Sequence, residues 1–416
     1  MKFSQSLIKT RKEKVKEADS INADLLIRAS YIDQLSAGVY SFLPLGLKVI
    51  DNINQIIREE MNAIGGRELL LPALHRAELW KKTERYDTAI SFKTKSQVDQ
   101  EYVLGWTHEE VITPLAKKFI TSYRDLPLYL YQIQLKFRDE LRAKSGLLRT
   151  REFLMKDLYS FHSSEKDLED YYEKVKKAYL KIFDRCGLGK KTYYTYATGG
   201  DFSPFSNEFQ VLSESGEDII FICEKCQMAV NKEIIRKQKD CPKCGNKNLK
   251  EARAIEAGNI FKLGTKFSRA FGLNYLDKKD RQQLVHMGCY GLGPARLMGA
   301  IVEIYHDDKG IIWPKTVAPY KIHLISLGEK SAVRKEAQRV YDKFLENQIS
   351  IIWDDRDETA GAKFADADLL GMPVRLVASQ KTVKKDSIEL KLRQQKETKL
   401  IKIKDLLEQA NKVLGK

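Results

Sequence analysis

Long apolar runs are missing from this chain of 416 residues. No stretch approaches the roughly 20 apolar residues that a membrane-spanning helix needs. The N-terminal segment also lacks the apolar core of a secretion signal. These absences argue against a membrane or exported protein and make the cytoplasm the expected location. Cysteine is sparse, with six residues, and an unexported chain has little use for disulfides. Disorder is not indicated, since hydrophobic residues make up 43% of the chain, enough to bury substantial cores. The length exceeds what one small core organises and predicts two or three domains. A formal net charge of +15 fits either an anionic partner, nucleic acid first, or simply a basic surface.

What is present is concentrated in a few places. Four cysteines fall in Cys223-Glu224-Lys225-Cys226 and Cys241-Pro242-Lys243-Cys244-Gly245. Each pair puts two thiolates on one tight turn, and two such turns make a tetrahedral S4 cage suited to structural zinc. Two disulfides or one redox-active pair are the alternatives. Cys186 and Cys289 lie outside this pattern and read as small core residues.

Three further stretches fit a single site: Phe137-Arg138-Asp139-Glu140, Arg149-Thr150-Arg151-Glu152-Phe153 and Gly291-Leu292-Gly293-Pro294-Ala295-Arg296. Arginine makes planar, bidentate contacts to phosphate, phenylalanine offers a stacking face, and glycine lets backbone approach a ligand. The set suits a bent nucleoside triphosphate held against a sheet. In this order it resembles motifs 2 and 3 of the class II aminoacyl-tRNA synthetases.

Other segments narrow the resemblance to the bacterial-type prolyl-tRNA synthetases. Leu25 to Ser30 and Gly38 to Gly46 look like the entry to motif 1, and Leu104-Gly105-Trp106-Thr107-His108-Glu109-Glu110 looks like the amino-acid-binding loop. Phe153 to His162, Gly258 to Ser268 and Met287 to Gly291 follow the same wording. The resemblance implies an α+β catalytic domain, an antiparallel sheet flanked by helices, over residues 1–318. It also implies a C-terminal α/β anticodon-binding domain over residues 319–416. Many relatives carry a large inserted editing domain in the middle. Here residues 219–250 hold only a small zinc-ribbon-like insertion, so that domain is absent.

Local patterns agree. Apolar residues recur with helical spacing from Leu45 to Met61, Gly65-Gly66 ends that helix, and Glu68 to Pro72 reads as a strand. In the family this helix and strand form much of a homodimer interface. Ser163 is the expected cap of a helix from Glu165 to Cys186 with Tyr171, Val175, Tyr179 and Phe183 on one stripe. Residues 1–20 are basic and read as a solvated or frayed arm. Ile322 to Ile325, a Lys330–Asn347 helix and Ile349 to Trp353 read as a β-α-β unit.

Roles follow from the resemblance. Arg138 and Arg296 are the catalytic candidates. Arg138, Glu140, Arg149, Phe153, Glu256 and Arg296 are expected at ATP, with Mg2+ on its phosphates and Glu208 or Glu256 within reach. Thr107, Glu109, Arg138, Met155, Asp157 and His162 are expected at L-proline, with Phe161 and Phe205 as apolar wall. Thr107 and Glu109 would stand on one side of an extended segment, or alternatively open a helix. His108 reads as a packing residue. Asp355, Arg356 and Lys363 are expected to read the anticodon of tRNA(Pro). Cys223, Cys226, Cys241 and Cys244 are the zinc ligands.

Three departures stand out: Trp106 where relatives have proline, Asn259 and Lys262 where they have His and Gln, and Thr83-Glu84-Arg85 without the usual glycine turn. The alternatives are a threonyl or glycyl synthetase, or a non-catalytic RNA-binding paralogue. A threonyl enzyme would bring a catalytic zinc with His and Cys ligands into the pocket.

Overall fold

The computed structural model describes residues 1–416 apart from 17, 201, 203, 204, 329, 330 and 416. Contacts divide the chain into two units, one of residues 36–39 and 54–300 and the other of residues 1–35, 40–53 and 301–416.

The first unit is built on a nine-stranded sheet. Its strands are β1 (Arg67–Glu68), β2 (Leu128–Phe137), β3 (Glu152–His162), β4 (Thr192–Thr198), β5 (Phe205–Leu212), β6 (Asp218–Cys223), β7 (Met228–Asn231), β8 (Lys250–Gly264) and β9 (His286–Leu292). They lie in the order β5-β4-β7-β6-β8-β9-β3-β2-β1, with a further β5–β8 pairing. Pairing is antiparallel except for β4 with β7 and β1 with β2. The expected strand at Glu68 to Pro72 shortens to β1, because Leu71 N–H turns to the Gln132 side chain at 3.0 Å instead of a ladder partner.

Helix α1 (Pro44–Ala63) precedes this sheet in the chain, and Gly65 beyond its end takes a φ of 87°, a left-handed stop that glycine supplies without strain. Helix α2 (Glu109–Ala116) begins where the extended reading placed Thr107 and Glu109. Glu109 and Glu110 therefore occupy a first helical turn, where carboxylates are favoured by the helix dipole. Helix α3 (Glu165–Arg185) is capped by Ser164, whose side chain accepts from Asp167 N–H, so the cap lies one residue after Ser163. Tyr171, Val175, Tyr179 and Phe183, spaced by fours, are all buried. Tyr179 and Phe183 pack on Phe209 of β5 with ring centroids 5.0 and 5.5 Å apart.

The segment read as a separate ribbon is woven into the sheet. β6 and β7 form a hairpin bearing the first cysteine pair, and both strands gain neighbours, β6 beside β8 and β7 beside β4. Ile220, Ile222, Ala229 and Ala254 close a small core there.

The second unit carries a five-stranded sheet. Its strands are β10 (Ile322–Leu327), β11 (Ile351–Asp354), β12 (Val374–Ser379), β13 (Ser387–Leu392) and β14 (Thr398–Lys402), in the order β11-β10-β12-β13-β14. β10 is parallel to both neighbours, and the last two pairings are antiparallel. Helix α5 (Ser331–Glu346) covers it with Val333, Val340 and Phe344; the Lys330 expected to start it lies outside the described residues. Lys9, Arg11, Lys12, Lys14 and Lys16 are exposed, as the solvated-arm reading has it, but the first four residues dock on this unit. Lys2 bridges in parallel to Trp353, Ser4 bonds Asp355, and Phe3 is buried. An apolar ring at the third residue offsets the charge around it by burying against the sheet edge.

Candidate active site

The floor of the site is the centre of the first sheet. Asp157 of β3 pairs with Gly291 of β9, and Gly291 pairs in turn with Asn259 of β8. Strand side chains alternate, so Phe153, Met155 and Asp157 share one face. All of them line a cavity of about 370 Å³, together with Thr107, Arg138, Glu256, Gly293 and Arg296. A Cβ added at Gly291 would meet only Met155, at 3.5 Å, so glycine here leaves the floor open rather than relieving a clash.

Arg138 leaves the end of β2 with its N–H on Arg151 O at 2.8 Å, and its guanidinium carbon lies 5.2 Å from the Phe153 ring centre. Arg296, in helix α4 (Pro294–Ile304), donates to Glu256 O at 2.7 Å. Burial, with the neighbouring Arg296 charge, lowers the Arg138 pKa. A second recess of about 230 Å³ shares Arg138, Glu256 and Arg296 with the cavity and adds Glu140, Arg149 and Glu217. Arg149 forks onto Glu140 at 2.9 and 2.7 Å and reaches Glu217 at 3.0 Å. Glu208 also lines the main cavity; burial, reinforced by Glu256, pushes its carboxyl up to about 8.

At the other end, Thr107 donates to Glu109 at 2.6 Å. Glu109 itself stands behind Thr107 and is fully buried. Asp157 is held by Gln132 at 2.9 Å and by the buried Lys136 ammonium at 2.7 Å. Burial lowers the Lys136 pKa against the pull of that carboxylate. Neither Gln132 nor Lys136 is marked by any sequence pattern, although both sit on β2 with the spacing of one face. The apolar wall comes from Trp106, Phe202 and Phe261. Phe161 lies further along the same face in the adjoining core, beside Phe267 and Met287, and Phe205 is largely exposed.

His162 is not brought to the cavity. It ends β3, its Nδ1 lies 2.9 Å from Asp167 in the first turn of α3, and its ring packs against Tyr129 and Tyr171. Strand alternation explains this: His162 is an odd number of residues from Asp157 and takes the opposite face. His108 is fully buried, with Nε2 3.1 Å from Pro72 O, as a packing residue.

The four patterned cysteines converge, their sulfur atoms all within 4.8 Å of one another. Cys223 and Cys244 lie 3.6 Å apart, Cys226 and Cys241 3.4 Å apart. A tetrahedral zinc–thiolate cage needs about 3.8 Å between sulfurs, whereas a disulfide needs about 2.05 Å. The donor set fits zinc, and all six cysteines are free thiols.

Comparison with known proteins places these features in a family. Residues 92–305 match the tRNA synthetase class II core domain (G, H, P, S and T), and residues 321–412 match the anticodon binding domain family. A proline–tRNA ligase of Ehrlichia chaffeensis is 39% identical over 434 positions, covering 99% of this chain and 100% of that one. The chain belongs to the proline–tRNA ligase family. Another member, from Agrobacterium fabrum, is 37% identical over 447 positions, covering 100% of both chains. One from Dehalococcoides mccartyi is 33% identical over 558 positions, covering 98% of each chain. That alignment is far longer than these 416 residues, so this proline–tRNA ligase carries a long stretch without a counterpart here. A prolyl-tRNA synthetase structure from Cryptosporidium parvum, complexed with halofuginone and AMPPNP, shares the fold with a TM-score of 0.79. It is 20% identical over 95% of this chain and 75% of that chain.

Within this family's pattern the three departures have physical accounts. Glu84 takes a left-handed turn itself, at φ 59°, without a glycine. Trp106 anchors its indole N–H on Ser91 at 3.1 Å and walls the cavity. Asn259 donates to Glu256 at 3.1 Å in the cavity, while Lys262 turns away to Glu169.

The residues expected to read an anticodon are differently disposed. Lys363 is only 2% exposed and donates inward to Ser326 O at 2.9 Å. It faces the sheet because helix α6 (Ala360–Leu370) turns that position to β10. Arg356 is forked onto Asp354 at 3.0 and 2.7 Å, reaches Asp366 at 2.6 Å, and lies 3.9 Å from the Phe3 ring centre. Asp355 accepts from Ser4. Lys363 is therefore withdrawn from any tRNA surface, a correction to the expected trio.

Proposed function

We infer that this protein is a proline–tRNA ligase, which joins L-proline to tRNA(Pro) through a prolyl-adenylate and releases AMP and diphosphate. One observation carries the reading: Arg138, Phe153, Gly291 and Arg296 converge on a cavity whose other end is Thr107 and Asp157. Activation requires the proline carboxylate to attack the α-phosphorus in line, with diphosphate leaving. Little proton transfer is involved, so positioning and charge neutralisation dominate. Arg138 bridges the carboxylate and α-phosphate, and Phe153 stacks beneath adenine. Glu140 accepts from the adenine amino group once Arg149 releases it, and Arg149 and Arg296 then clamp the γ-phosphate end. Thr107, whose hydroxyl donates back to the buried Glu109, receives the secondary ammonium, beside Asp157 and Met155.

Magnesium, when bound, supplies charge neutralisation at the phosphates, and the paired carboxylates Glu208 and Glu256 fit it. Zinc held by Cys223, Cys226, Cys241 and Cys244 fixes the β6–β7 hairpin and supplies folding energy, not catalysis. A threonyl enzyme's catalytic zinc would need His and Cys ligands in the cavity, and Cys289 is the sole such lining residue among those described. The catalytic domain takes residues 1–318, with 219–250 in place of an editing domain, and residues 319–416 bind the anticodon. Homodimerisation through the motif 1 helix and strand belongs to the same reading, supported by exposed Leu70 beside β1. So does a cytoplasmic location; no described helix is long and apolar enough to cross a membrane.

ATP–diphosphate exchange with each amino acid in turn tests the reading. Proline should support exchange above all others, and Arg138→Ala should reduce it at least ~100-fold without unfolding. Exchange driven equally by threonine or glycine, or none at all, would overturn it.

A further inference from the structure

Arg85 belongs to no expected site, yet its guanidinium is buried with two carboxylates directly behind the cavity wall. Its Nη1 lies 2.9 Å from Glu110 Oε1 and 3.4 Å from Glu109 Oε2, with side-chain exposures of 4% for Arg85 and 0% for both acids. The planar group is sandwiched by rings: its carbon is 4.3 Å from the Trp106 ring centre, 4.6 Å from Phe202 and 5.3 Å from Phe267. Trp106, Phe202 and Thr107 all line the cavity. The left-handed turn at Glu84 delivers Arg85 to this position.

Two carboxyls face one guanidinium, and because an uncompensated buried charge is costly, burial pushes the Glu110 carboxyl up to about 7, leaving Glu109 as the anion paired with Arg85. Glu109 Oε2 is held from two sides, by Thr107 at 2.6 Å and by Arg85. Among the described residues Glu109 Oε1, Glu110 Oε2 and the Nε and Nη2 of Arg85 make no well-formed hydrogen bond, with the Cys289 thiol beside Glu109. Arginine is suited to this role because its flat, weakly hydrated fork tolerates a dry aromatic cage while still dividing its charge between two acids.

We propose that Arg85 is a positioning residue that fixes Glu109, through a shared Arg85–Glu109–Glu110 triad, so that the Glu109 carboxylate turns the Thr107 hydroxyl to accept the ammonium of the bound amino acid. This rests on the reading above that Thr107, backed by Glu109, receives that ammonium. Arg85 touches neither substrate; it sets selectivity for a cationic ring over a neutral one of the same shape.

The test compares Arg85→Met and Arg85→Lys with the parent in proline-dependent ATP–diphosphate exchange. A second constant is measured for tetrahydrofuran-2-carboxylic acid, which has ring oxygen in place of the ammonium, as a competitive inhibitor. For Arg85→Met, KM for proline should rise ~30-fold or more, while KM for ATP and the inhibition constant of the neutral analogue stay within about threefold. Arg85→Lys should recover part of the proline affinity, and it decides the matter alone if the methionine variant fails to fold. Parallel loss of proline and neutral analogue would mean general damage to the pocket, and unchanged proline affinity would mean Glu109 needs no support; either overturns the proposal. A parent without proline-dependent exchange would instead remove the functional reading itself.

Discussion

The Lys136 ammonium lies 2.7 Å from the Asp157 carboxylate, and both side chains are withdrawn from solvent at the floor of the cavity. Gln132 binds the second carboxylate oxygen at 2.9 Å. The acid expected at proline is thus already committed to the sheet on which it stands, and its orientation is set from behind.

Lys136→Met should therefore strand a buried charge and destabilise the catalytic unit by ~3–5 kcal/mol, because removing one partner of a buried pair leaves the other unpaired. Thermal unfolding checks this. A midpoint close to that of the parent would show that Asp157 finds another counter-ion.

Metal analysis of protein handled without chelator should find about one zinc per chain. Cys241→Ser should lose it and unfold at a lower temperature, with exchange activity at ambient temperature changed little, since a closed S4 site leaves no open coordination position. Full metal-free stability, or a disulfide between these cysteines, would contradict the assignment.

Lys363→Ala should lower the stability of the anticodon-binding unit, because the change leaves Ser326 O and the Asp354 side without their buried donor. Affinity for tRNA(Pro) should fall only in step with that loss. Weakened tRNA binding in a variant of unchanged thermal midpoint would return Lys363 to the RNA surface.

Acid should destabilise the same unit through His323, which is 1% exposed and has neither ring nitrogen bonded among the described residues. Burial lowers its pKa from 6.5 to about 4. The unfolded chain then binds the proton more readily, so the contribution is present above pH 6.5 and is lost as pH falls towards 4, up to ~3 kcal/mol. His323→Phe should flatten the fall of the thermal midpoint over that window. An equally steep fall in the variant would assign the acid sensitivity to other groups.

Alanine should be a substrate error that this chain does not correct. It lacks about two methylenes of proline at ~0.8 kcal/mol each, so rejection by binding is modest. The segment between Asp218 and Glu251 is taken up by β6, β7, a short helix at Lys232–Ile235 and the cysteine turns, too little chain for a hydrolytic domain. Incubation with alanine, ATP and tRNA(Pro) should accumulate stable Ala-tRNA(Pro); rapid deacylation by the protein alone would reveal a hydrolytic site.

Much of this was written in local order along the chain. The spacing of Tyr171, Val175, Tyr179 and Phe183 determined a buried helical stripe, the two C-x2-C pairs determined a sulfur cluster, and the arginine and glycine motifs determined which residues line the nucleotide end. Such features depend on neighbours a few residues away, where helix and strand periods act directly. Tertiary structure alone decided the rest. It set Lys136 under Asp157, caged Arg85 behind Trp106 against acids more than twenty residues along, sent His162 to the opposite face of β3, and turned Lys363 inward. It also wove β6 and β7 into the main sheet and docked Phe3 on the edge of the second one. In each case the outcome hangs on burial and on a charge or strand supplied from far along the chain, and a residue's own sequence neighbours carry no record of which partner will be there.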